Sequence, residues 1–215
     1  MPKKCVILGA GGHARVLIDC LQTAAIVELV GILDPNPDLI GKEIFGIPII
    51  GNDDMLAELQ GKGVDWFVIG LGGTGNNRPR IHLFDLACRN GLKPLTVHHP
   101  SAIVSSKAEI GDGAQLLPGC IVNANARIGR NCILNSGSIV EHDCIIGDHV
   151  HIATGAKLAS TVRVGEGAHI GAGATIRQCI EIGEFAVVGA GSVVVRNVQP
   201  NIIVIGVPAK PLKQE

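Results

Sequence analysis

The stretch IVEHDCIIGDHVHIATG, residues 139–155, gathers three of the chain's eight histidines and three carboxylates into a segment otherwise β-like in character. His142 stands between Glu141 and Asp143. A neutral imidazole can take up a proton near neutral pH, and a carboxylate beside it can fix its tautomer and raise its basicity. That is the equipment needed to deprotonate an amine or a hydroxyl as it attacks a thioester, whose thiolate leaves readily. The plain alternative is an exposed turn histidine with no chemical task. His149 and His151 follow, and His169 lies 18 residues beyond His151.

A second group of residues could bind phosphate. In CVILGAGGHARVLIDC, Gly9, Gly11 and Ala14 fit the pattern G-x-G-x-x-[GA] straight after an apolar strand, with Asp34 further on at the end of a second one. Such a turn brings backbone N–H groups and a helix N-terminus against a phosphate. Three occupants are open: a nicotinamide dinucleotide, the diphosphate of a nucleotide-linked substrate, or no ligand at all. The short α/β segment has no room for the second mononucleotide half of a nicotinamide enzyme, which favours the nucleotide-linked substrate, with Gly11, Gly12, His13 and Asp34 as its contacts. His13 could donate to the phosphate or merely cap the helix. The loop GLGGTGNNRPR, residues 70–80, follows a third strand at the same carboxyl edge, so Arg78 or Arg80 could serve the diphosphate or simply open a solvated helix.

The elements that position these residues show in the periodicity. From Val104 to Val194 every sixth residue is Ile, Leu or Val, sixteen positions in succession, and the residue two before each is nearly always small. A helix period of 3.6 residues cannot produce this pattern. Gly111, Gly129, Gly147, Gly165 and Gly183 recur every 18 residues, so the expectation is that one corner needs a permissive backbone once per three hexads. Three short strands then make one coil of a triangular prism, and the coils stack at about the 4.8 Å spacing of paired strands. In that register Glu141, His142 and Asp143 fall on an outward turn, His151 and His169 stack on the outer surface of adjacent coils, and Cys120, Cys132 and Cys144 fill small interior slots. The first 98 residues read as a small Rossmann-like α/β domain with a short parallel sheet, and residues 99–215 as the repeat domain with a C-terminal tail.

Composition agrees. Of 215 residues, 47% are hydrophobic but only 2% aromatic, with 29 glycines and no tyrosine, so the core must be made of small and branched aliphatics. Lys and Arg number 18 against 19 Asp and Glu, which leaves no electrostatic footprint for nucleic acid or anionic membrane. Seven cysteines without a CxxC pair argue against a metal cluster or a disulfide framework. No apolar run reaches the roughly 20 residues that span a bilayer, and MPKKCVILGAGG turns into glycines before a secretory segment could form, so a cytoplasmic protein is expected.

Two observations together carry a family resemblance: a glycine-turn α/β domain joined to hexad repeats, and the segment LNSGSIVEHDCIIGDHVHIATGAKLA. The chain resembles, over essentially its whole length, the hexapeptide-repeat sugar acetyltransferases of the sialic acid O-acetyltransferase and bacillosamine-pathway N-acetyltransferase type. GVPAKPLK, residues 206–213, resembles the superfamily's C-terminal signature. The resemblance implies that the prism is a left-handed parallel β-helix, that the protein is a homotrimer, and that acetyl-CoA is the donor, with no metal. It implies His142 as general base, Asp143 as its assistant, Asn135 as a helper, and His151, Ala172, Ala190 and Lys210 as acetyl-CoA contacts. Asp143 stands where some members have Glu, which leaves open whether its contact with His142 is direct. The expected reaction is N-acetylation of a nucleotide-linked amino sugar. O-acetylation of sialic acid or a related sugar, a silent nucleotide-sugar binder, and a zinc lyase of carbonic anhydrase type, with ligands from His142, His149, His151 and His169 across a subunit boundary, are the alternatives.

Overall fold

The computed structural model describes residues 3–212; Lys213, the last residue of the GVPAKPLK signature, lies outside them. The described residues form two compact units. One runs up to Gly72 and resumes over Pro79–Val97, and the other joins Gly73–Arg78 to the residues from His98 onward. The segment Gly73–Arg78, read from sequence as part of the first sheet's carboxyl edge, thus groups with the second unit.

The first unit contains β1 (Lys3–Leu8), α1 (Gly12–Ala24), β2 (Val27–Leu33), β3 (Glu43–Ile44), β4 (Ile47–Gly51), α2 (Leu56–Gly61), β5 (Trp66–Ile69), most of α3 (Arg78–Arg89) and β6 (Lys93–Pro94). The sheet order is β3-β4-β2-β1-β5-β6, parallel except for the β3–β4 pair. β1 lies between β2 and β5, and Cys5, Val6, Ile7 and Leu8 are fully buried, as a central parallel strand covered on both faces requires. α1 buries Ala14, Leu17, Ile18, Cys20 and Leu21, an apolar stripe at helical spacing. Sequence reading misses the β3–β4 hairpin because its turn is Phe45-Gly46. Both residues have positive φ, 49° and 78°, as a two-residue hairpin turn demands, but phenylalanine is an unusual choice there.

The second unit is a parallel β-helix. From Ile103 to Val194 two-residue strands recur every six residues and pair with one another at 18-residue steps, as Ile121 with Ile139, Ile133 with His151 and His151 with His169; the last coil closes on Ile203–Ile205, 16 residues from Val187–Val188. The three faces of the prism are three such sheets. Of the sixteen periodic aliphatics, those from Leu116 to Val194 are at most 4% exposed, while Val104 and Ile110, in the first coil, are only partly buried. Cys120, Cys132 and Cys144 fill interior slots as expected. Cys132 and Cys144 donate to the carbonyls of Gly147 and Ala159 at 3.1 and 3.2 Å, and burial pushes the Cys120 thiol up to about 11.

The glycine corner has a different cause from the one expected. None of Gly111, Gly129, Gly147, Gly165 and Gly183 has left-handed φ. Instead, a Cβ on any of the first four would lie 2.5–2.8 Å from backbone of the next coil, so close approach of stacked backbones, not conformational freedom, requires glycine there. The left-handed residues occupy other turn positions: Gly119, Gly137, Gly155, Gly173 and Gly191 in one column, and Asn125, Asp143, Thr161 and Cys179 in another. Among the described residues no helix is long and apolar enough to cross a membrane.

Candidate active site

Val140 points into the prism, and Glu141, His142 and Asp143 follow on the turn before strand Ile145–Ile146. His142 Nδ1 lies 2.7 Å from Asp143 Oδ2, and the two side chains are 56% and 49% exposed. A carboxylate only accepts, so Nδ1 carries the hydrogen and Nε2 is left as the basic nitrogen. The contact is direct, which answers the question raised by the short Asp side chain. Asp143 has φ 61°, a conformation that Asp and Asn tolerate better than other side chains. One coil earlier, Asn125 Nδ2 donates to Asp143 Oδ1 at 3.3 Å. The hydrogen bonds from His142 and then Asn125 hold the Asp143 carboxyl below the usual carboxylate range. Glu141 is engaged elsewhere, accepting from Asn123 Nδ2 at 2.9 Å.

His151 is in a different environment. It pairs in register with His169, and the rings meet edge-to-face with centroids 4.9 Å apart. The stacking is as expected; the expected exposure is not, because His151 is only 6% exposed. Residues 73–78 cover this face: the Gly73 carbonyl accepts from His151 Nδ1 at 2.8 Å, and Asn77 donates to the carbonyls of Gly167 and Ala168 at 3.2 Å each. On its other side His151 Nε2 lies 3.3 Å from Asn135 Nδ2. His169 Nδ1 is buried without a hydrogen-bond partner, and burial lowers the pKa of this ring. His149 is also buried, with Nδ1 2.9 Å from Asn131 Nδ2.

The two arginines of the connecting loop differ: Arg78 is exposed and Arg80 is buried. The Arg78 guanidinium lies 4.1 Å from the centroid of the Phe185 ring. Arg80 is 1% exposed and donates from Nη1 to the carbonyls of Ile69 and Leu71, closing the carboxyl end of β5. Asn77 and Arg80 were not legible as structural residues, since nothing local in a polar loop marks a side chain for burial.

Ala172 and Ala190 are exposed turn residues preceding Gly173 and Gly191, which have left-handed φ. A Cβ on either glycine would meet nothing within 4 Å. Lys210 lies on the final two-residue strand and lines, with Arg196, Gln199 and Ile202, a depression of about 340 Å³. Among the described residues no three His, Cys, Asp or Glu side chains converge on a point that could hold a metal ion. His142, His149, His151 and His169 therefore do not form a ligand set within one chain.

In the first unit Gly9 takes φ 99° and donates to the Leu33 carbonyl at 2.7 Å. Asp34 braces the same turn: its Oδ2 accepts from Ala10 N at 2.8 Å and its Oδ1 from Asn36 N at 3.0 Å. Gly11 precedes α1 with φ −78° and no side-chain cap, and His13, half-buried, lies in the first turn. A Cβ on Gly11 or Gly12 would meet nothing within 4 Å, so neither packing nor conformation in this chain demands glycine there.

Comparison with known proteins follows the same division. Residues 4–86 match the PglD N-terminal domain, and residues 107–141, 125–160 and 161–196 match the bacterial transferase hexapeptide repeat. PerB from Caulobacter crescentus, solved in complex with CoA and GDP-perosamine, is 36% identical, with 98% of this chain and 97% of that chain covered and a TM-score of 0.92. The chain belongs to the hexapeptide-repeat sugar N-acetyltransferases. The acetyltransferase's solenoid is accordingly a left-handed parallel β-helix. The acetyltransferase domain of PglB from Neisseria gonorrhoeae, solved with acetyl coenzyme A, is 33% identical over 99% of this chain and 100% of that chain, with a TM-score of 0.91. UDP-N-acetylbacillosamine N-acetyltransferase of Bacillus subtilis (strain 168) is 38% identical over 120 residues, 54% of this acetyltransferase and 51% of that protein, so the match spans about half of that relative's length. Variants of the Caulobacter enzyme in which one histidine is replaced by asparagine or alanine are solved with CoA and GDP-perosamine.

Proposed function

We propose that this chain transfers the acetyl group of acetyl-CoA to the amine of a nucleotide-linked amino sugar, in the synthesis of bacterial surface glycans or glycoproteins. The observation that carries the reading is the His142–Asp143 pair, an exposed imidazole whose Nδ1 hydrogen is committed to a carboxylate, leaving Nε2 to take a proton. The sugar nitrogen attacks the thioester carbon as its proton passes to Nε2. The carbon–sulfur bond then breaks, and the imidazolium returns the proton to the departing thiolate. Backbone N–H groups of the prism steady the oxyanion of the tetrahedral intermediate. Asn135 assists His142.

Acetyl-CoA is held by His151, Ala172, Ala190 and Lys210. Small exposed residues at 172 and 190 let the pantetheine arm approach the backbone, and Lys210 with Arg196 offers positive charge to the phosphates. The nucleotide is held by Gly11, Gly12, His13 and Asp34. Support comes from the open space around Gly11 and Gly12, where glycine serves the approach of a ligand better than any need of the fold. The working assembly is a homotrimer, in which prism faces pack and shield the substrates.

Thiol release from acetyl-CoA by purified protein, against UDP-, dTDP- and GDP-linked amino sugars and free and CMP-linked sialic acid, tests the reading. Release with a nucleotide amino sugar is expected. Release with sialic acid alone would replace the amine acceptor by a hydroxyl, and nucleotide-sugar binding without any thiol release would leave a silent binder.

A further inference from the structure

The strand face that carries His151 holds a chain of hydrogen bonds whose directions are fixed by chemistry. The Gly73 carbonyl can only accept, so His151 Nδ1 carries the ring hydrogen. His151 Nε2 is then a lone pair, and Asn135 Nδ2 is the donor that meets it at 3.3 Å. Asn135 Oδ1 accepts from Ser136 N at 2.8 Å, which requires the same orientation of the amide. Were the hydrogen on Nε2 instead, donor would face donor, and the amide would have to turn over and give up Ser136.

Beyond Gly73 the link is by packing, and Asn77, which packs there, is itself held in place. Asn77, 1% exposed, is tied through Nδ2 to the carbonyls of Gly167 and Ala168, immediately before His169. Gly73 is wedged between Asn77 and His151: a Cβ there would run into Asn77 Oδ1 and stand 3.1 Å from His151 Nδ1. Arg78, next in the chain, stacks on Phe185, whose ring lies where a Gly167 side chain would be. The ring neighbours of His151 along the sheet are uncharged Ile133 and His169, which burial keeps neutral.

We propose that Asn77 is a positioning residue for acetyl transfer: it pins the Gly73 carbonyl against the prism, that carbonyl holds His151 as the Nδ1–H tautomer, and the tautomer sets the Asn135 amide. The inference rests on the proposed role of His151 and Asn135 in the reaction. It assigns a task to a buried loop asparagine that neither contacts substrate nor belongs to the base.

Nitrogen-15 NMR of the histidine rings in the full-length protein, beside steady-state kinetics with acetyl-CoA and the accepted nucleotide amino sugar, tests it. In the wild type the His151 signals should be those of a hydrogen on Nδ1. Asn77→Ala should give mixed tautomers at His151 and a kcat lower by about tenfold or more, the scale on which small misplacements act, with the KM for the nucleotide sugar unchanged. Gly73→Ala, which keeps the Asn77 side chain but drives a Cβ against its Oδ1 and crowds His151 Nδ1, disturbs the same contact from the other side and should cause the same tautomer change. A wild-type His151 with its hydrogen on Nε2, or an Asn77→Ala protein that keeps the Nδ1–H signature whatever its rate, overturns the proposal. Should the wild type transfer acetyl to no acceptor, the catalytic reading falls and the role of Asn77 with it; transfer with the wrong tautomer sinks the relay alone.

Discussion

His142 and His151 lie nine residues apart on the same solenoid, yet their surroundings suit opposite tasks. His142 sits on a corner, more than half exposed, with a carboxylate as partner; His151 sits on a flat face, buried, with a backbone carbonyl as partner. Both partners fix the hydrogen on Nδ1. Only the corner leaves the ring open to solvent. Next to His151, burial depresses the pKa of His169, so this face resists charge. A repeated scaffold thus gives the same residue type different chemistry through its position on the coil.

The largest effect expected from this contrast is at the corner. His142→Ala should lower the rate of acetyl transfer at least about a hundredfold, the usual contribution of a general base, while circular dichroism and the melting temperature stay close to wild type because the side chain packs against nothing in the core. Near wild-type turnover would remove His142 from the mechanism. Asp143→Asn comes next. Asn tolerates the left-handed φ of 61° at this turn and can still accept from Nδ1, so the protein should fold; loss of the charge should slow transfer by about tenfold. If the Asn variant were as fast as wild type, the carboxylate would be an orienting group only.

The smallest effect concerns the buried face. Burial holds the folded-state pKa of His169 below the ordinary histidine value of about 6.5. Above that pH both folded and unfolded chains carry the ring neutral. As the pH falls through it, the unfolded chain takes up a proton that the folded chain refuses, and stability declines until the lowered pKa is reached. His169→Leu should therefore flatten the fall of melting temperature between about pH 7 and 5, whereas an unchanged slope would show that His169 is free to charge in place. Asp143 acts in the same sense at lower pH: its carboxyl is held low, so its contribution to stability declines as the pH falls from the usual carboxylate range towards the lowered value.

Much of this was written in the sequence. The sixteen hexad aliphatics announce the prism because its interior admits one large side chain per strand, a constraint that repeats without interruption. The exposure of His142 follows from the same register. The glycine corner was legible as a pattern but not as a cause, since a recurring glycine looks the same whether it serves a left-handed turn or the close passage of another backbone. The burial of His151 was illegible, because Gly73 reaches it from 78 residues away along the chain and Asn77 holds Gly167 from 90 away, in contacts with no local signature. Arg80 misled for the same reason: a guanidinium opening a helix looks solvated until its carbonyl partners are known.

The exact 18-residue pairing of the strands turns the prism into a ruler. Each coil is one graduation of about 4.8 Å, and residues at the same mark on successive coils, such as Asn125 and Asp143 or His151 and His169, differ in height but hardly in bearing. Adding or removing one whole coil between His142 and the C-terminal strand would change the reach from His142 to Lys210 by one graduation and leave every wall in register. An insertion of six or twelve residues would keep the inward residues inward but carry everything after it onto another face of the prism. A chain of this kind can therefore be fitted to a longer or shorter ligand only in whole steps.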